Sequence, residues 1–208
     1  MNGERLALLL DGGFVKKRLA EKIKRFPPAE EVTRWTGDLL SHADLANTHL
    51  LRTYWYDADP FGQKRKNPID GKQTNFASTL EANRNRELMS ALEVSPDFAV
   101  RKGELLFRGW RVRASAMKEL ATDPPRTLKA SDLEPVFIQK SVDMRIGLDI
   151  ASLALKRLVH AVVLVTADAD MIPAMKLARR EGLRVYLHTM ATPDRRHELL
   201  VHADRVLG

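Results

Sequence analysis

Short apolar runs alternate with amphipathic, helix-patterned stretches along this chain. The densest run is Ala-Val-Val-Leu-Val at 161–165, which ends abruptly in Thr166-Ala167-Asp168-Ala169-Asp170. A short run without polar interruption reads as a strand buried on both faces, the usual state in a parallel sheet. A helical pattern follows, opened by Pro173 and closed by Gly182, residues that fit a helix start and stop. Residues 6–10 repeat the plan. Apolar positions end in Asp11-Gly12-Gly13, and a basic helix over 15–26 is then stopped by Pro27-Pro28. The pattern further predicts a helix over 29–48, an aromatic-rich strand over 50–56 and a loop over 61–72. Beyond these it predicts a polar helix over 74–92 and a hairpin over 98–112 turning at Lys102-Gly103-Glu104. Residues 121–134, with Pro124-Pro125 and a high charge density, are expected to be mobile. A short strand over 136–139 comes next, then a long helix over 141–157 with Ser141 as its N-cap. The chain closes with a strand over 183–188 and a helix over 194–206 presenting Leu199, Ala203 and Val206 on one face. Alternation of strand and helix argues for an α/β fold, with a mainly parallel sheet covered on both sides.

Composition narrows the chemistry. The chain has 208 residues, enough for one domain with elaborations, and no cysteine. Disulfides, thiolate metal sites and cysteine nucleophiles are thereby excluded. Six histidines show no metal-type spacing. No apolar run reaches the ~20 residues of a membrane span and no secretory signal opens the sequence, so a cytoplasmic location without membrane attachment is expected. The net charge of +7 is uneven: residues 61–113 hold 11 Lys/Arg against 6 Asp/Glu. A basic region beside acidic strand ends suits a polyanion held by one part and acted on by another, although a solvated basic surface has the same composition.

The carboxylates carry the sharper signal. Asp11 ends the first strand, Asp143 stands in the opening turn of its helix, and Asp168 and Asp170 follow the central strand. Right-handed crossovers bring such strand ends to one edge of a parallel sheet, where open α/β folds bind ligands. Two carboxylates about 5 Å apart repel by roughly 3 kcal/mol at an effective dielectric near 20. A helix N-terminus returns only about 0.3–1 kcal/mol to each. Clustered in this way they must protonate in part, spread apart or hold a cation. All-oxygen donors favour Mg²⁺ or Mn²⁺ over zinc. Singly, an Asp near a helix start is more often a cap. Asp149 lies off the face of Asp143 and four residues after Arg145, which favours a surface ion pair, and Asp57 and Asp59 suit a turn. No P-loop, dinucleotide fingerprint or serine elbow is present.

In combination these motifs resemble the NYN domain of the PIN-like nuclease superfamily, close to its LabA-like or DUF88 group. They are Asp11-Gly12-Gly13-Phe14, Lys140-Ser141-Val142-Asp143 with Asp149 following, and Thr166-Ala167-Asp168-Ala169-Asp170. The resemblance covers the first twenty residues and everything from about Pro135. It implies a PIN-like three-layer sandwich in a single domain over 1–208, with a basic insertion at about 58–134. It also implies an acidic pocket for Mg²⁺ or Mn²⁺ that hydrolyses phosphodiesters, usually of RNA. Asp11, Asp143, Asp168 and Asp170 would be its metal-binding and catalytic carboxylates, Asp149 a further candidate ligand, and Thr166 a supporting hydroxyl. The sequence departs from the family at Phe14, where many members have Asn, at Ser141 and Ala167, where they have Gly, and at Met171, where they have Phe. The expected activity is a metal-dependent endoribonuclease. The backbone phosphates would be held by Lys64, Arg65, Lys66, Lys72, Arg84 and Arg86, with Trp55 and Trp110 weighed as stacking residues but better suited to a core. A non-catalytic RNA-binding module is the alternative, a nucleotide phosphohydrolase ranks third, and a homo-oligomer is open.

Overall fold

A computed structural model describes residues 3–122, 126–192 and 197–207. Seven strands form one sheet in the order β6-β5-β2-β1-β7-β8-β9. They are β1 (Glu4–Asp11), β2 (Thr48–Asp59), β5 (Phe98–Val112), β6 (Leu133–Lys140), β7 (Ala161–Val165), β8 (Arg184–His188) and β9 (Arg205–Val206). Every pairing is parallel except β5 with β6. A separate antiparallel hairpin joins β3 (Lys64–Lys66) to β4 (Gln73–Asn75). The helices are α1 (Gly12–Ile23), α2 (Ala29–Leu40), α3 (Leu80–Glu93), α4 (Ala114–Leu120), α5 (Val142–Leu155), α6 (Ile172–Arg180) and α7 (His197–Val201). The molecule is thus a mixed α/β sandwich with a mainly parallel sheet between helical layers, as the alternation predicted.

Two apolar cores lie on the two faces of the sheet, and β1 feeds both. Leu6, Leu8 and Leu10 pack with Val15, Leu19, Val32 and Leu92 of α1, α2 and α3. Ala7 and Leu9 pack with Ile146, Ile150, Met175 and Leu199 of α5, α6 and α7. Leu6 to Leu10 and Ala161 to Val165 are completely buried, which is why both runs lack the polar alternation of a one-sided strand. Burying one such Leu or Val side chain stabilises the fold by about 1.5–3 kcal/mol.

Several local expectations are corrected. Residues 98–112 are one 15-residue strand and not a hairpin. The first part of β5 pairs with β2 up to Asp59–Glu104, and the remainder continues past it to pair with β6. Tertiary pairing overrides the turn signal at Gly103, which instead lets the backbone pass Lys140: a Cβ there would lie 2.6 Å from the Lys140 carbonyl oxygen. The stretch 61–72 contains strand β3 where a loop was expected, and β4 pairs back onto it. The helix over 29–48 stops at Leu40, and that over 74–92 starts only at Leu80, with the Thr79 side chain accepting from the Ala82 N–H. The terminal helix is short, α7 ending at Val201, and Val206 lies in β9 beside β8. Of the stretch expected to be mobile, residues 123–125 lie outside the described residues. Around them Arg126 bridges Glu119 and Asp132. Asp194, where the last helix was expected to open, also lies outside the described residues.

Candidate active site at the carboxyl edge of the sheet

The strand order places β2 on one side of β1 and β7 on the other. The chain therefore leaves β1 and β7 at a point where the connections diverge, which is where open α/β sheets form a crevice beyond their carboxyl ends. Asp11 ends β1. Its Oδ1 accepts from the Phe14 N–H at 3.1 Å and caps α1. Thr166, 1% exposed, sits directly after β7. Its hydroxyl donates to Asp11 Oδ2 at 3.4 Å and accepts from the Asp168 N–H at 3.1 Å. Asp168 in turn accepts from the Asp170 N–H at 3.0 Å. The polar residues after the two buried strands are thereby linked across the crevice by one hydroxyl.

Asp143 enters from the third direction, in the first turn of α5. It is exposed at the rim of the crevice, where partial desolvation raises its pKa and the charges of Asp168 and Asp170 raise it further. Burial likewise pushes Asp11 up to about 6; the Phe14 N–H opposes this, Asp143 and Asp57 add to it, and Thr166 opposes it weakly. Electrostatically, then, the four predicted carboxylates form one neighbourhood. Among the described residues none of the four is paired with a Lys or Arg. No three of them, however, gather about one point as a ready-made cation cage among the described residues.

Asp149 stands differently. It accepts from the Tyr56 hydroxyl at 2.9 Å and from Arg101 Nε at 3.1 Å, so its ion pair is with Arg101 of β5 and not with Arg145. Ser141 does precede α5, but its side chain makes no capping bond and its backbone is left-handed, at φ 68°. The Gly of the family pattern at this position has a physical reason here.

The sequence reading assigned Asp57 and Asp59 to a turn, but both lie in β2. It assigned the third strand only as far as Tyr56, whereas β2 runs on to Asp59, and Tyr56 stands in register with Asp11. Asp57 is 1% exposed and forms a 2.5 Å ion pair with Lys16 Nζ. Lys16 also donates to Asn85 Oδ1 at 2.6 Å, and Gln139 Nε2 donates to Asp57 Oδ1 at 3.4 Å. A fifth carboxylate therefore borders the crevice with its own half-buried counter-charge. An Asp at the end of an aromatic strand was the available signal.

The predicted phosphate-binding residues divide between two elements. Lys64, Arg65, Lys66 and Lys72 belong to the β3–β4 hairpin and its turn; Arg84 and Arg86 lie on α3. Arg65 stacks over Phe61 and Phe107, 4.9 and 5.4 Å from the ring centroids. Arg86 donates to the Ala77 carbonyl and to Asn83. Trp55 is fully buried in the core. Trp110 packs against Phe76 and Phe107 and donates from Nε1 to the Lys66 carbonyl at 3.1 Å, tying the hairpin to β5.

Fold and edge together define an α/β protein with an acidic crevice at the switch point of its mainly parallel sheet. Residues 106–207 match the model of the NYN domain family. This is a family of nucleases and RNA-binding proteins. The matched stretch holds Asp143, Thr166, Asp168 and Asp170; Asp11 and Asp57 precede it. No curated protein matches the chain. The fold is similar to the crystal structure of a protein of unknown function from Vibrio parahaemolyticus RIMD 2210633. The TM-score is 0.53 and the identity 14%, over 99% of this chain and 93% of that one. At that identity the likeness speaks for the fold alone.

Proposed function

We propose that the chain is a metal-dependent nuclease, most simply an endoribonuclease, with its site on Asp11, Asp143, Asp168 and Asp170. The observation that carries this reading is negative charge held without compensation. Carboxylates from three places in the sequence face one ligand-binding edge, where Asp143 raises the pKa of Asp11 and Asp168 and Asp170 raise that of Asp143, with no Lys or Arg paired to any of them among the described residues. Holding like charges together at a partly desolvated edge is costly unless a cation shares the space. Mg²⁺ demands oxygen donors and keeps several of its waters, so one or two direct carboxylates suffice. The donor set fits a hydrated Mg²⁺ or Mn²⁺ better than a cage made wholly of protein.

When bound, such an ion lowers the pKa of water and neutralises charge on a phosphodiester. The chain's own contribution is positional. Asp11 is anchored by the Phe14 N–H and the Thr166 hydroxyl, and Thr166 also orients the turn that carries Asp168 and Asp170. Asp57 is already neutralised by Lys16. The basic hairpin, with Lys64, Lys66 and Lys72 exposed, adds a further cationic surface to the same molecule. The working unit on this reading is the whole chain, since β1 is the strand hydrogen-bonded between β2 and β7.

Asp168→Asn should abolish Mn²⁺- or Mg²⁺-dependent cleavage of single-stranded RNA while leaving the melting curve intact; a fully active variant would remove the mechanism. The second reading, an RNA-binding module without turnover, is favoured by the lack of a three-ligand cluster among the described residues. It predicts salt-sensitive binding and no cleavage with either ion.

A further inference from the structure

Three surface grooves run end to end along α6. The first, of about 460 Å³, is lined by Asp143 and Asp170 together with Met144, Leu148, Pro173 and Leu177. The second, of about 490 Å³, shares Pro173 with it and adds Lys176, Arg179 and Arg180. The third, of about 580 Å³, shares both arginines and adds Arg184, Tyr186, Asp204 and Arg205. A nine-residue helix is roughly 13 Å long, so the acidic crevice and an arginine-lined groove at the opposite edge of the sheet are a short channel apart.

The charge along this channel is strongly polarised. At its far end four arginines face one carboxylate, Asp204, which pairs with Arg179 at 3.0 Å. Arg184 lies by Glu4 and Tyr186, and Arg205 reaches Asp44 only at 3.9 Å. Lys176 and Arg180 are exposed and form no ion pair among the described residues. One or two cations in the last turn of α6 are accounted for by the helix dipole. Lys176 lies before that turn, and Arg184 and Arg205 come from strands, so the dipole does not explain them. Near the acidic end the walls are apolar, with Met144 67% and Leu148 61% exposed. They suit a flat aromatic group, to which thioethers adapt well.

We infer that the groove along α6 is a track for one strand of nucleic acid. A splayed base rests on Met144 and Leu148 beside the acidic crevice, and the phosphates run over Lys176 and Arg180 into the pocket of Arg184 and Arg205. This rests on the nucleic-acid reading above and deepens it by giving the path of the strand across the surface. A duplex keeps its bases stacked and offers none to the apolar segment, whereas unpaired bases are free to splay. The track lies on the helix layer opposite α1 and uses none of the cations picked out from the sequence.

The test is equilibrium binding of a fluorescent single-stranded RNA oligonucleotide in EDTA across a salt series. K176E/R180E is compared with wild type and with K17E/K22E, which alters net charge equally on exposed positions of α1. The track variant should bind at least about tenfold more weakly, and its salt slope should fall by about 1.4 for two lost contacts to a single strand. The α1 variant should stay near wild type. K176A/R180A, a milder change at exposed positions, should show the same slope loss, with unchanged melting curves certifying the fold. Unaltered binding by both track variants, or an equal loss in the α1 variant, overturns the track. Equal affinity for duplex RNA also overturns it. Cleavage is followed separately in Mn²⁺: binding along α6 without turnover would sink the nuclease reading and leave the track standing.

Discussion

Replacing Asp11 by Asn should make the protein more stable at neutral pH. Burial and the neighbouring carboxylates raise the Asp11 pKa from 3.8 to about 6. A raised carboxyl pKa means that the folded state holds the proton more tightly than the unfolded chain. Below about pH 4 both states are protonated and the group contributes nothing. Between about pH 4 and 6 the unfolded chain ionises first and folding becomes less favourable. Above about 6 the full penalty applies. A rise from 3.8 to about 6 is worth about 3 kcal/mol, an upper figure because solvent partly screens the group. Asn keeps the α1 cap, since its side-chain oxygen still accepts from the Phe14 N–H. At about 2–4 °C per kcal/mol for a chain of this size, the gain should approach 5–10 °C in melting temperature. The assay is thermal and urea denaturation of wild type and Asp11→Asn in EDTA, from pH 3.5 to 8. The curves should coincide near pH 3.5, diverge up to about pH 6 and stay parallel above it. On the proposed function, Mn²⁺ should narrow the gap by stabilising wild type alone. A variant no more stable than wild type at pH 7.5, or a gap independent of pH, would refute the claim of uncompensated buried charge.

Lys16→Met should destabilise the fold by about 3 kcal/mol, because it leaves the buried Asp57 carboxylate without its cation; adding Asp57→Asn should recover most of this in urea titrations, and no recovery would count against the pairing. Gly12→Ala would place a Cβ 2.7 Å from both Trp55 Cε2 and the Tyr56 carbonyl oxygen. It should cost about 1–3 kcal/mol by overpacking, and a melting temperature equal to wild type would contradict the close approach. Ser141→Gly should stabilise by about 1 kcal/mol, since a non-glycine residue in left-handed geometry is strained by that order; a loss of stability would show that the Ser141 side chain contributes something this geometry does not reveal.

How much of this was legible in the sequence follows from the range of the interactions involved. Runs buried on both faces announce themselves: Leu6 to Leu10 and Ala161 to Val165 need no partner to be recognised, because complete burial removes every polar residue from the pattern. Helix punctuation by Pro173 and Gly182 is local for the same reason. Asp11, Asp143, Asp168 and Asp170 could be picked out because each stands where a strand ends or a helix begins. The meeting of Asp11 with Thr166 across 155 residues, the burial of Asp57 against Lys16 and the transfer of Asp149 to Arg101 all depend on which strands became neighbours. So does the fate of 98–112, where pairing with β2 and β6 kept extended a segment whose glycine suggested a turn. By itself the sequence determined an alternating α/β chain with acidic strand ends. Only the tertiary structure decided which carboxylates share a crevice, which are already neutralised and that a charged groove follows α6, because charge compensation depends on distance through space, and chain order does not set that distance.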